Sequence, residues 1–169
     1  MNEAHAHLVM NHFPIILPMV ALVLLAFGIF RKNETLQKTA LWIFVVGAVF
    51  TFFAMFTGDK AEHFIENLPG ISEQKMENHE EMAEQLAWIQ YLVGIISVVG
   101  LILHHKKHQA IKYLHYLLLV LTLILLFFAQ KTGTSGGEIR HPEISGNANE
   151  LLPVNNNEGK MHEKEYEHD

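Results

Sequence analysis

The sequence predicts an all-α integral membrane protein, a bundle of four transmembrane helices. Four stretches of the 169-residue chain contain no Lys, Arg, Asp or Glu, and each approaches the length of about 20 apolar residues that crosses a bilayer as a helix. No stretch alternates as a strand would, and so short a chain leaves too little amphipathic sequence to cover four such helices in water. We predict a transmembrane domain over residues 1–143, a flexible polar tail over 144–169, and spans at 8–30, 39–58, 85–103 and 113–130.

The first span is interrupted by prolines. Pro14 suits the first turn of a helix, where its missing N–H costs nothing, and is unfavourable inside one. We therefore expect residues 5–12 to form a separate capping segment before the membrane helix, with Phe13 outside helical geometry.

The charges between the spans predict an orientation. Half of the twelve basic residues lie in two short connections, residues 31–38 and 104–112. The positive-inside rule assigns both connections to the cytoplasm. Both termini and the connection 59–84, which carries eight carboxylates and two lysines, are then expected on the outer side.

The long outer connection is predicted to be helical on both sides of a turn at Pro69-Gly70. Ser72 is a candidate N-cap for the helix that runs into the third span. Helices two and three would then extend beyond the membrane as an outer-side hairpin. Heptad-like spacing predicts that the facing residues of this hairpin are Phe56, His63, His79 and Leu86. The fourth helix is expected to end at Gly133, Gly136 and Gly137.

Histidine dominates the candidate chemistry, since the chain has twelve histidines and no cysteine. The lack of cysteine excludes thiolate zinc sites, iron–sulfur clusters and covalently attached haem. Helical bundles hold cofactors with side chains from facing helices, and all four helices bring a histidine to the outer end. The candidate ligands are His7, His12, His63, His79 and His141.

These histidines favour a b-type haem held by two axial imidazoles. Arg140 is a candidate partner for a haem propionate, because its guanidinium binds carboxylates through two parallel hydrogen bonds. Asp59 lies one turn before His63 and is expected to accept the other ring N–H of that histidine. The leading hypothesis is a small electron-transfer protein, without substrate chemistry of its own, that links the quinone pool or a membrane partner to an outer acceptor.

Two alternatives stay open. Carboxylates beside the histidines suit zinc or copper rather than haem, with ligands drawn from His12, His63, His79, His141, Glu62 and Glu80. The chain would otherwise be a cofactor-free accessory subunit of a larger membrane complex. The net charge of −6 offers no basic surface for nucleic acid.

The inner histidines have a simpler interpretation. His104, His105 and His108 lie among lysines, where they are expected to meet anionic lipid headgroups. His115 lies one turn inside the fourth helix and is expected to reach back to the membrane surface.

Three short motifs resemble a known family. They are the opening His7-Leu8-Val9-Met10-Asn11-His12-Phe13-Pro14, the segment Gly58-Asp59 with His63, and Gly136-Gly137 followed by His141. Over residues 5–143 the chain resembles a family of small four-helix bacterial inner-membrane proteins classed only as a domain of unknown function. The resemblance implies an inner-membrane location and no activity. The long acidic hairpin and the Asn-rich tail depart from that family.

Overall fold

A computed structural model describes residues 3–65 and 72–140, and these residues form five helices. The short α1 spans Glu3–Met10 and is followed by α2 (Phe13–Phe30), α3 (Glu34–Ile65), α4 (Glu73–His105) and α5 (Ile111–Arg140). Four helices are long and apolar enough to cross a membrane. The predicted all-α membrane bundle is confirmed, and no strand occurs in these two stretches.

The four long helices pack in chain order and close into a ring. α2 packs on α3, α3 on α4, α4 on α5, and α5 on α2, while α1 lies against α3. Side chains from all four meet in a common core, including the fully buried Leu25, Phe44, Val93 and Leu118. The outer surface of the bundle is also apolar, with the side chain of Phe30 80% exposed, as expected of a surface that faces lipid.

Two ends of this ring are distinguished below. The basic end contains the two short turns, residues 31–33 and 106–110, which join α2 to α3 and α4 to α5. The hairpin end contains α1, the last turns of α3 and α5 and the first turns of α4. The hairpin turn predicted at Pro69-Gly70 lies outside the described residues, as does the polar tail.

The break in the first span occurs where proline predicts it. α1 ends at Met10, and α2 begins at Phe13 with His12 at its N-cap and Pro14 in its first turn. The interruption covers only Asn11 and His12, and the helical stretch long and apolar enough to cross a membrane runs from His5 to Phe30. Phe13 is helical, so the expectation that it lies outside helical geometry is wrong. Its ring stacks on Phe50 of α3, with centroids 4.3 Å apart, which fixes the break against the neighbouring helix.

The extension of α3 beyond the membrane turns a different face inward from the predicted one. Phe56 is 51% exposed and His63 is exposed, so the expected facing stripe of α3 is wrong. Ala54 and Ala61 are buried instead, one heptad apart. Small residues occupy these inward-facing positions because they let α4 and α1 approach α3 closely.

The other helix ends follow the sequence in part. Ser72 is the N-cap of α4 with extended backbone, as predicted, but its side chain makes no capping hydrogen bond. α5 does not end at its glycines: Gly133, Gly136 and Gly137 are helical, and the helix runs on to Arg140. Packing against α4 outweighs the weak helix propensity of these glycines.

Both turns of the basic end place a lysine in the left-handed backbone region. Lys32 has φ 51° and Lys107 has φ 52°. In the second turn the N–H of His108 donates to the carbonyl oxygen of Leu103 at 3.0 Å, and that of Lys107 to His104 at 3.1 Å. This is the Schellman pattern, in which glycine usually follows the helix.

We expect Lys107→Gly to raise the free energy of unfolding by about 0.5–1 kcal/mol. Left-handed backbone costs a non-glycine residue roughly 1–2 kcal/mol, and the greater freedom of unfolded glycine offsets part of the gain. Unfolding by SDS titration in mixed micelles measures the change. Lys106→Gly is the matched control, because Lys106 has φ −78° and gains no relief. Equal effects of the two substitutions would contradict this account.

Candidate functional site

His7 joins α1 to the end of α3. Its Nδ1 lies 3.1 Å from the carbonyl oxygen of Ala54 and 3.4 Å from the hydroxyl of Thr57. A carbonyl oxygen can only accept, so Nδ1 carries the proton and donates. A Cβ added at Gly58 would lie 3.3 Å from Cε1 of His7, so the ring rests against the backbone of α3.

His79 makes the equivalent connection between α4 and α5. Its Nδ1 lies 3.0 Å from Oγ of Ser135, whose hydroxyl donates to the carbonyl oxygen of Thr132 at 3.0 Å. Since that hydroxyl has one proton, it accepts from Nδ1–H of His79. A Cβ at Gly136 would lie 3.0 Å from Cε1 of His79, so this ring also rests on a glycine.

The two imidazoles are close enough to interact electrostatically. Burial lowers the pKa of His79, and the charge of nearby His7 lowers that pKa further. His79 is therefore neutral at pH 7. Both rings are half-buried and protonated at Nδ1, so each keeps the lone pair of Nε2 for a metal.

The lowered pKa of His79 predicts that the hairpin end loses stability in mild acid. In the unfolded chain His79 takes up a proton near its ordinary pKa of 6.5. In the folded chain its pKa is lower, so it takes up the proton only at a lower pH. The stabilisation is complete above pH 6.5 and is lost as the pH falls through the lowered pKa. Thermal unfolding between pH 7.5 and 5 measures this loss. His79→Asn should flatten the difference, and an unchanged slope would contradict the assignment.

The remaining predicted ligands of the described residues are less enclosed. His12 is exposed, and its Nδ1 lies 2.7 Å from the carbonyl oxygen of Leu8, one turn earlier. His63 is exposed on α3, and Asp59, one turn before it, is exposed too. The charge of Asp59 acts on His7. Arg140 is the last residue of α5, and His141 lies outside the described residues.

Carboxylates of the hairpin end lie close to one another. The pKa of Glu80 is raised, chiefly by the negative charge of Glu62 on α3 and secondly by burial. The two predicted carboxylate ligands are thus neighbours across α3 and α4. Across the stretches 3–65 and 72–140, however, no group of three or more His, Asp or Glu side chains could hold a metal ion.

At the basic end, two histidines do not lie where the lysine-rich sequence suggests. His104 is 9% exposed and His115 is 3% exposed, and their ring centroids are 5.2 Å apart. The expectation that both reach the membrane surface is therefore wrong. Each lies on the heptad position of its helix that faces the bundle, and α4 and α5 meet there. His105 and His108 are exposed, as expected.

The hydrogen-bond partners of the hairpin-end pair were not predicted. Ala54 contributes a backbone oxygen, which no sequence motif reveals. Ser135 lies beyond Gly133, where the sequence predicts that the fourth helix ends, and Thr132 contributes a backbone oxygen. The glycines that support the rings, Gly58 and Gly136, do occur in the short motifs of the sequence.

Four apolar helices in a closed ring, with half-buried histidines at one end and a buried histidine pair at the other, define a small integral membrane protein of the four-helix bundle class. The family described as "Predicted membrane protein (DUF2231)" matches residues 3–142, and the chain belongs to this family. This confirms the resemblance found in the sequence. No curated protein and no solved structure matches the chain.

Proposed function

We propose that this protein is a small electron-transfer protein of the bacterial inner membrane that binds a b-type haem between His7 and His79. One observation carries the proposal. Two half-buried histidines from different helices interact electrostatically, and each donates Nδ1–H to a protein oxygen. Ligating histidines usually do this, because the bond orients the ring and increases the basicity of Nε2.

The chain's own residues account for binding and for the electrostatics. Nε2 of His7 and of His79 would hold the iron, and Arg140 at the end of α5 is the candidate partner for a propionate. Bound haem supplies one-electron redox chemistry. The neighbouring carboxylates of Glu62, Glu80 and Asp59 stabilise positive charge at the site, so they favour the oxidised state and lower the reduction potential.

The proposed orientation follows from charge. The basic end carries Lys32 and Lys107 in its turns, and the positive-inside rule places such turns in the cytoplasm. The hairpin end and both termini then lie on the periplasmic side. A haem held there would face a soluble acceptor, while the bundle gives access to the quinone pool or a membrane partner.

A non-haem metal protein is the second candidate, and the proximity of Glu62 to Glu80 favours it. Zinc or copper would use these carboxylates together with histidine. The haem proposal ranks first because it requires two protein ligands, which His7 and His79 supply, whereas no three-residue ligand group forms among the described residues.

The test is an absorption spectrum of the full chain, purified in mild detergent from cells supplied with haem precursor and trace metals, before and after dithionite. Metal analysis is run on the same sample. A Soret band that shifts and sharpens on reduction supports the haem proposal. A featureless visible spectrum with stoichiometric zinc or copper supports the second candidate. If the protein contains neither haem nor metal and a membrane complex co-purifies with it, both candidates are overturned and an accessory subunit is supported.

A further inference from the structure

The basic end contains two buried histidines that the proposed function does not use. Nε2 of His104 and Nε2 of His115 are both buried, and neither has a hydrogen-bond partner within the described stretches. A buried polar atom without a partner costs about 1–3 kcal/mol, so two of them on adjacent rings require an explanation.

We propose that His104 and His115 form a second site, which binds one transition-metal ion such as Zn²⁺ through two imidazole nitrogens. A bound ion satisfies both Nε2 atoms at once. Imidazole is a preferred ligand of zinc, copper and nickel, and the ion needs little space between two packed helices.

The separation of the rings supports a single ion. A zinc–nitrogen bond is about 2.0–2.1 Å, which puts the metal about 3.2 Å from each ring centre, and a tetrahedral angle then separates the centres by about 5.2 Å. The observed separation is 5.2 Å, with the ring planes tilted by 40°. Two imidazoles on opposite faces of a haem would need ring centres about 6.4 Å apart, from the same bond lengths. The basic-end pair therefore fits a metal ion and not a haem.

The charges around the pair come from α3. Lys38 and Glu34 both act electrostatically on His104, and they pair with each other at 3.4 Å. Lys38 opposes a bound cation and Glu34 favours it. The side chain of Glu34 is 72% exposed, and an exposed pair such as that with Lys38 contributes little to stability. With two imidazoles as fixed ligands and water completing the shell, the ion is held exchangeably.

The experiment uses the full chain without a polyhistidine tag, in detergent micelles, titrated with Co²⁺ and followed by visible absorption, with Zn²⁺ as competitor. We expect His104→Gln or His115→Gln to weaken binding at one Co²⁺ site at least tenfold. His105→Gln is the matched control, since His105 is the exposed neighbour on the same helix end, and it should leave binding unchanged.

A variant of the hairpin end separates this site from the proposed haem site. His7→Ala combined with His79→Ala should leave the Co²⁺ binding that depends on His104 intact. Binding that survives both His104→Gln and His115→Gln overturns the proposal. The two buried imidazoles would then be explained as a pair that shares a proton.

X-ray absorption of the Zn²⁺-loaded wild type tests the same point without any substitution. Two imidazoles in the first coordination shell are expected. A shell of oxygen atoms alone overturns the proposal, whether or not the variants fold.

Discussion

Gly94→Ala is expected to lower the free energy of unfolding by about 1–3 kcal/mol, the usual cost of overpacking a tight interface. A Cβ at Gly94 would lie 2.6 Å from Cβ of Ala48, so α3 and α4 pass each other almost in backbone contact. Neither atom belongs to a flexible side chain, and the two helices would have to separate. SDS titration in mixed micelles measures the loss, and Gly94→Leu should prevent the helices from packing.

Gly133→Ala is the matched control for Gly94→Ala. Both glycines are helical, but no heavy atom lies within 4 Å of a Cβ added at Gly133. The added methyl group should therefore stabilise α5 by about 0.5–1 kcal/mol, the difference in helix propensity. Equal destabilisation by both substitutions would show that close contact between α3 and α4 is not what Gly94 provides.

His79→Ala and His7→Ala are each expected to abolish the low-spin haem spectrum of the purified protein. Each removes one of the two histidines that would hold the iron, and alanine offers no substitute for Nε2. Ser135→Ala leaves the ligand in place but removes the oxygen that accepts Nδ1–H of His79. It should weaken haem binding about 10–100-fold, the usual effect of losing such a support.

His12→Ala and His104→Ala are the controls for the axial variants. His12 is exposed and its Nδ1 lies 2.7 Å from the carbonyl oxygen of Leu8 in its own segment, and His104 lies at the other end of the bundle. Both should keep the spectrum. Loss of the spectrum in His12→Ala, with retention in His7→Ala, would show that His12 and not His7 holds the iron.

The fold was predictable because the membrane makes composition decisive. Local signals place the helices: the uncharged spans give the membrane helices, and the start of each helix is marked by Pro14 in α2 and by Ser72 before α4. The facing stripe of α3 was not predictable in the same way. Phe56 and Ala54 are both apolar, and only the approach of neighbouring helices decides that the smaller one faces inward.

The heights of the histidines along the bundle were predictable, but which of them face one another was not. Sequence gives the height of each histidine along its helix, and so predicts convergence at one end. It does not give the rotation of each helix, which separates half-buried His79 from exposed His63. At the basic end, lysines beside His104 suggested the membrane surface, whereas rotation turned this ring toward His115.

The positions of His7 and His79 in different helices have a consequence for biosynthesis. His7 lies in the first helix to be made and His79 in the fourth, so their approach requires a chain that has already passed the hairpin. Until α4 is inserted, α1 has only α2 and α3 to pack on, and it packs mainly on α3. The pair thus forms late in translation, and any cofactor that depends on it is acquired by a nearly complete chain rather than by a nascent one.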